Sequence, residues 1–168
     1  MPSTSTRTGR VRRRRSERFR VKTLRDIEAD VAALARRIGA SEGELPTYGV
    51  SQDFGRPHVE VEHGFYWYVV MERGQELERR FTHNYDELLY WIFRDATHRL
   101  AFVYELTNRV EDQDCRRIAF PKQIELMKQI GSTIGERLER DIADILRHAP
   151  YDDEPTKAVN RMRRNGER

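Results

Sequence analysis

From residue 24 onward, Leu24, Ile27, Val31, Leu34, Ala35 and Ile38 recur at helical spacing. Thr23 stands before the first of them as an N-cap, and Gly39 follows the last as a stop signal. This helix carries an apolar stripe and so needs a partner surface. Residues 41 to 57 contain Gly43, Pro46, Gly49, Gly55 and Pro57, which is loop chemistry with room for one short strand near Tyr48 to Ser51.

The period then changes from that of a helix to two. His58 to Glu62 alternates, with Val59 and Val61 on one side and Glu60 and Glu62 on the other. Phe65 to Glu72 is rich in aromatic and β-branched residues, and Glu76 to Thr82 alternates again. Gly64 and Gly74 mark the two turns, so the segment reads as an antiparallel meander whose middle strand is apolar on both faces. Three-residue loops at both turns would align Val59, Val61, Trp67, Val69, Met71, Leu77 and Phe81 on one face. They would leave Glu60, Glu62, Tyr66, Tyr68, Glu78 and Arg80 on the other, and a one-residue slip would exchange the two sets on the affected strand.

Asn84 caps a second helix that carries Asp86 and Glu87 in its first turn and runs to about Arg109. Its apolar face is read as Leu88, Leu89, Ile92, Phe93, Ala96, Leu100, Val103 and Leu106, with Glu87, Arg94, His98, Glu105 and Arg109 opposite. Trp91 and Phe102 project near the polar side, an unusual place for large apolar groups. A third helix starts near Pro121 and keeps the period through Ile124, Met127, Ile130, Ile134, Leu138, Ile142 and Ile145 to His148, with Gly131 and Gly135 as points of bending. The expected fold class is α+β: a small antiparallel meander of three or four strands packed with an N-terminal helix and two long C-terminal helices. Residues 21 to 150 form that domain, flanked by a disordered arm over residues 1 to 20 and a disordered polar tail over residues 151 to 168.

Composition narrows the function classes. The chain has 168 residues, which corresponds to one domain. Hydrophobic residues make up 38%, charged residues 35%, and mean hydropathy is -0.84, so a modest core lies under a heavily charged surface. No apolar run approaches the roughly 18 residues that span a bilayer, and no apolar segment follows the basic N-terminus, so a cytoplasmic protein is expected. A single cysteine, Cys115, excludes an internal disulfide framework. The net charge of +3 is unevenly spread. Residues 1 to 20 hold eight arginines against Glu17 alone, a net +7, so the remaining residues sum to −4. The basicity belongs to the arm and the body is acidic.

Candidate chemistry is sparse. The five histidines show no metal-ligand spacing, and neither a G-x-S-x-G nor a phosphate-binding glycine loop occurs. No cofactor or metal is expected, nor is Cys115 a nucleophile, since no base is paired with it in sequence. Glu60 and Glu62 share a strand face and in principle form a hydrolytic pair, a reading that a deep pocket beside a histidine would support and a flat sheet would not. The arginine arm could bind nucleic acid through phosphates, and it is the one feature here that suggests such a partner. The remaining signal is a surface: Tyr66 and Tyr68 among Glu60, Glu62 and Glu78, with Trp91 nearby, read as a partner-binding set. Aromatic rings with a polar handle dominate protein interfaces, and an acidic field speeds capture of a basic partner.

Several short stretches, in order, carry a resemblance. They are Asp53-Phe54-Gly55-Arg56-Pro57-His58-Val59-Glu60-Val61, Tyr66-Trp67-Tyr68-Val69-Val70, Glu72-Arg73-Gly74 and Asp86-Glu87-Leu88-Leu89-Tyr90-Trp91-Ile92-Phe93, followed by Tyr104-Glu105, Arg109, Asp114-Cys115-Arg116-Arg117 and Phe120. Over about residues 45 to 150 the chain resembles the Immunity protein 63 family. The resemblance implies a small cytoplasmic α+β protein, encoded beside a polymorphic toxin, that binds the cognate toxin domain and blocks it. It brings no catalytic residues. It leaves the arginine arm unassigned, and it lets the motif residues serve the fold rather than the toxin contact, with Glu105 pairing Arg109, Arg116 or Arg117 across the helices.

Overall fold

The computed structural model describes residues 21–166, and the arginine arm lies outside them. Helix α1 spans Leu24–Ala35 and continues as a short 3-10 turn, Arg36–Ile38. Its start is a reciprocal cap: the Thr23 side chain accepts from the Asp26 amide while Asp26 accepts from the Thr23 amide. Ile27, Val31, Ala35 and Ile38 bury the predicted stripe.

The sheet has four strands in the order β1-β2-β3-β4: Thr47–Tyr48, Pro57–Glu62, Phe65–Glu72 and Gln75–Thr82. The last three form the expected meander. β1 runs parallel to β2, so the sheet is mixed rather than wholly antiparallel. Both hairpin turns hold two residues rather than three. Glu62 pairs with Phe65 and Glu72 with Gln75. His63 and Gly64, like Arg73 and Gly74, all have positive φ, the signature of the turn whose twist matches its strands. A bulge at Val70/Met71 leaves Leu77 without a partner in the ladder.

Four further helices follow: α2, Tyr85–Thr107; α3, Arg116–Ile130; α4, Ser132–His148; and α5, Glu154–Gly166. Helices α1 and α2 lie on one face of the sheet, α3 packs on α2, and α4 folds back on α3. The single long helix expected after residue 121 is thus two helices. Gly131 adopts an extended backbone between them, and Pro121 sits inside α3 rather than at its start. The residues expected to form a disordered tail carry α5. At α2 the burial runs through Leu88, Tyr90, Trp91, Ile92, Phe93, Ala96, Ala101 and Glu105, whereas Val103 and Leu106, read as core, are exposed.

Asp114 ties the end of the chain to the start of α3. Its carboxylate accepts from the Arg116 amide (2.9 Å), from the Arg116 guanidinium (2.7 Å) and from the Asp152 amide (3.0 Å). Arg116 in turn donates to the carbonyls of Ala149 and Pro150, and Arg117 pairs with Asp153. Glu105 is buried and is held by both arms of the Arg109 guanidinium, at 2.8 and 2.9 Å. The pairing expected between Glu105 and the later arginines therefore resolves into two separate clusters.

Two stability predictions follow from this geometry. A Cβ added at Gly135 would stand 2.9 Å from the Lys128 Cα, so Gly135→Ala forces α3 and α4 apart and destabilises by about 1–3 kcal/mol in chemical denaturation. An unchanged denaturation midpoint would show that the two helices are not this close. The second concerns acid. Hydrogen bonds from Arg116 hold the Asp114 carboxyl down at about 2, from an ordinary value of 3.8. A depressed carboxylate contributes stability that is fully present above its unfolded value and lost as pH falls through its folded one. Asp114→Asn is therefore expected to destabilise at neutral pH, and its deficit relative to the parent shrinks as pH falls from about 4 to about 2. A deficit independent of pH over that window would remove Asp114 from the acid response.

Candidate functional site

The two-residue turns decide which side chains face the helices. Val59 pairs with Tyr68 and Tyr68 with Arg80, while Val61 pairs with Tyr66 and Tyr66 with Thr82. Paired residues share a face, so Tyr66 and Tyr68 point toward α1 and α2 together with Val59 and Val61. This is the slip that exchanges β2 against β3. Tyr66 and Tyr68 are almost wholly buried. The Tyr68 hydroxyl donates to Asp95 of α2 (2.7 Å), and the Tyr66 hydroxyl accepts from the Lys22 amide (2.9 Å). Burial first, and then the Asp95 carboxylate, push the Tyr68 phenol well above its usual range, so it remains a donor.

The expected partner-binding set is thus divided. Tyr66, Tyr68 and Trp91 are core: Trp91 lies beside Tyr68, beneath the Arg80 guanidinium. Glu78 is on the helix side too and pairs with Arg80. Glu60 and Glu62 remain, and they lie on the opposite face, which the helices leave open.

That open face has an aromatic centre. Trp67 and Phe81 are cross-strand neighbours with ring centroids 5.0 Å apart, and Phe65 meets Phe81 edge-on at 5.5 Å. Phe81 is 58% exposed and Leu77, four residues earlier on the same edge strand, 59%, large values for apolar side chains. Val69, the neighbour of Trp67 on this side, is buried yet lies outside the main core cluster. Carboxylates frame the rings. Arg79 donates to Glu76 (2.8 Å) and Glu60 (3.3 Å), and its guanidinium lies 5.3 Å from the centre of the Trp67 ring. His58 is buried at the β2 end of the face and donates from Nε2 to Glu60 (2.9 Å). Glu62, opposite Phe65, is exposed. Phe65, Trp67, Arg79 and Phe81 did not enter the expected set. The signal that identifies them is the count of residues between Glu62 and Phe65 and between Glu72 and Gln75, which is two in each case.

Glu60 and Glu62 stand on an open sheet, not in the deep pocket that hydrolysis would need. A hollow of about 470 Å³ lies instead between α1 and β1, lined by residues that include Glu28, Tyr48 and Arg56. Among the described residues no group of three or more His, Cys, Asp or Glu side chains is placed to hold a metal ion, and no helix is long and apolar enough to cross a membrane.

Residues 62–144 match the sequence model of a family of immunity proteins. That family is Immunity protein 63, and the chain resembles it from the end of β2 through β3, β4, α2 and α3 into α4. The matched stretch is narrower than residues 45 to 150 and begins after the Asp53 to Val61 segment. No curated protein and no solved structure matches the chain.

The placement of Tyr68 in the core is testable. Tyr68→Ala is expected to destabilise the fold by about 3–5 kcal/mol, and Tyr68→Phe by about 1–3 kcal/mol through loss of the donor to Asp95. Thermal and urea denaturation read both. A stable Tyr68→Ala protein would return that ring to the surface.

Proposed function

We propose that this chain is an immunity protein that neutralises the toxin domain encoded beside it by covering that domain with the open face of its sheet. The observation that carries this reading is the ring cluster of Phe65, Trp67 and Phe81, of which Phe81 is exposed and the other two half-buried, framed by Glu60, Glu62 and Glu76, on a face that no described helix covers. Contiguous apolar surface of this kind, rimmed by charge, marks interaction sites, and a few desolvated aromatic side chains supply most of the affinity of a protein interface. The resemblance to an immunity-protein family over residues 62–144 supplies the kind of partner. The inhibitor acts stoichiometrically and without turnover, in the cytoplasm, by excluding substrate from the toxin. Its acidic body speeds encounter with a basic partner surface.

Co-expression tests the reading. Cells expressing the C-terminal domain of the adjacent toxin should stop growing, and the full chain should restore growth and co-purify with that domain. Phe81→Ala should keep the parental melting temperature and weaken the complex by about 2 kcal/mol or more, roughly thirtyfold in Kd. Continued growth arrest with both proteins soluble would overturn the reading. Unchanged affinity in Phe81→Ala would place the contact elsewhere.

A further inference from the structure

This protein repeatedly solves one local problem in one way: it lays a guanidinium over an aromatic ring and fixes it with a carboxylate. Arg79 lies over Trp67, held by Glu60 and Glu76. Arg80 lies over Trp91 and Tyr68, held by Glu78. Arg137 stands 3.7 Å from the centre of the Tyr90 ring and pairs with Glu87, and Arg117 stands 4.7 Å from that of Tyr151 and pairs with Asp153. The arrangement is favourable because the ring face attracts the cation while the carboxylate satisfies its N–H groups.

The open face holds the same components once more, at Glu62, Phe65 and Phe81. Glu62 opposes Phe65 across the β2–β3 ladder, so the carboxylate and ring share a face. Phe65 meets Phe81 edge-on at 5.5 Å, and Phe81 is largely exposed. No cation from the described residues pairs with Glu62 or lies over either ring. Charge points the same way. Arg79 is already shared between Glu60 and Glu76, which leaves Glu62 as the carboxylate open to a partner, on a body whose charge outside residues 1 to 20 is negative.

We propose that Glu62, Phe65 and Phe81 form the seat of an arginine side chain carried by an extended basic segment of the partner protein. The inference rests on the immunity reading only for the partner being a protein. The guanidinium stacks on Phe65, the ring opposite Glu62, with Phe81 beside it, and pairs with Glu62, as Arg79 does with Trp67 and Glu60 one pair further along the same strands. Arginine suits the seat better than lysine, because its planar, weakly hydrated group both stacks and pairs.

The test uses no toxin, so its failure is separable from failure of the proposed function. The isotope-labelled full chain is titrated with a short capped peptide alternating arginine and threonine, and with the matching lysine and glutamate peptides, under amide-resolved NMR. The arginine peptide is expected to shift the amides of Glu62, Phe65 and Phe81, to do so more strongly than the lysine peptide, and to weaken as salt is raised. Glu62→Gln and Phe81→Ser are each expected to lower its affinity about two- to fivefold, with melting temperatures unchanged, while Glu125→Gln on α3 leaves it as it was. No shift on the face at millimolar peptide, equal shifts from the glutamate peptide, or shifts centred elsewhere would overturn the proposal. So would binding that appears only after Arg12 to Arg15 are replaced by serine, since the chain's own arm would then be the occupant. Toxin protection that persists alongside any of these results would retire the arginine seat and leave the immunity reading standing.

Discussion

The constraint on which the rest depends is that a strand can turn only one of its two sets of side chains toward the helices. β3 is apolar on both faces, so hydrophobicity alone does not choose between Tyr66, Tyr68 and Val70 on one side and Phe65, Trp67 and Val69 on the other. The two-residue turns set the register, and hydroxyl chemistry reinforces it. Asp95 of α2 accepts a hydrogen bond from the Tyr68 hydroxyl and the Lys22 amide donates to Tyr66, so both phenols are satisfied beneath the helices. A slip would bury Trp67 where these partners stand and take from Asp95 the Tyr68 hydroxyl, leaving it the Arg94 guanidinium alone. The aromatic face presented to solvent is therefore the complement of a choice made inside the core.

Carboxylates on the helices satisfy tyrosine hydroxyls elsewhere in the fold as well. Asp30, Asp95 and Asp141 each accept the hydroxyl of a tyrosine, from Tyr85, Tyr68 and Tyr90 respectively. The tyrosines link α1 to α2, the sheet to α2, and α2 to α4. Glu87 and Arg137 add an ion pair between α2 and α4. Asp114 does comparable work at the chain's end, where Phe120 and Tyr151 approach within 6.5 Å between ring centroids. The stretch Asp114 to Phe120, one of those that carry the family resemblance, thus closes the helical layer.

Much of this fold was legible in the sequence. The cap at Thr23, the stripe of α1, the strand limits and the start of α2 at Asn84 follow from spacing and capping chemistry, because each is a local property. The rest depended on contacts between distant residues or on a signal read with the wrong weight. Pro121 is tolerated in a first helical turn but does not announce one; the earlier signal was Asp114, whose carboxylate takes the Arg116 amide. Asp152, Glu154 and Pro155 fall in the stretch expected to be a disordered tail, yet an acceptor two residues before Glu154, followed by proline in the first turn, is also how a helix begins. Glu105 reads as surface because its partner Arg109 lies one turn away and is itself exposed, whereas the Glu105 carboxylate is buried. The candidate site suffered most, since one residue of turn length exchanged Tyr66 and Tyr68 for Trp67 and Phe81.

A division of labour follows between residues that keep the fold and residues free to choose a partner. Tyr66, Tyr68, Trp91, Asp114 and Arg116 each satisfy a buried group or fill the core, so changing them disturbs the scaffold before it disturbs any contact. Glu62, Phe81 and Leu77 can change with little effect on the interior, because they face solvent. Placing them on paired strands gives a third property. Cross-strand neighbours are fixed by the ladder, so the rings of Phe65, Trp67 and Phe81 are already ordered before contact, and little side-chain entropy is lost when they are covered. On the proposed reading of this chain as an obstructing inhibitor, a rigid, exchangeable set of aromatic anchors on an indifferent core would let the identity of its partner vary while the means of holding it stays the same.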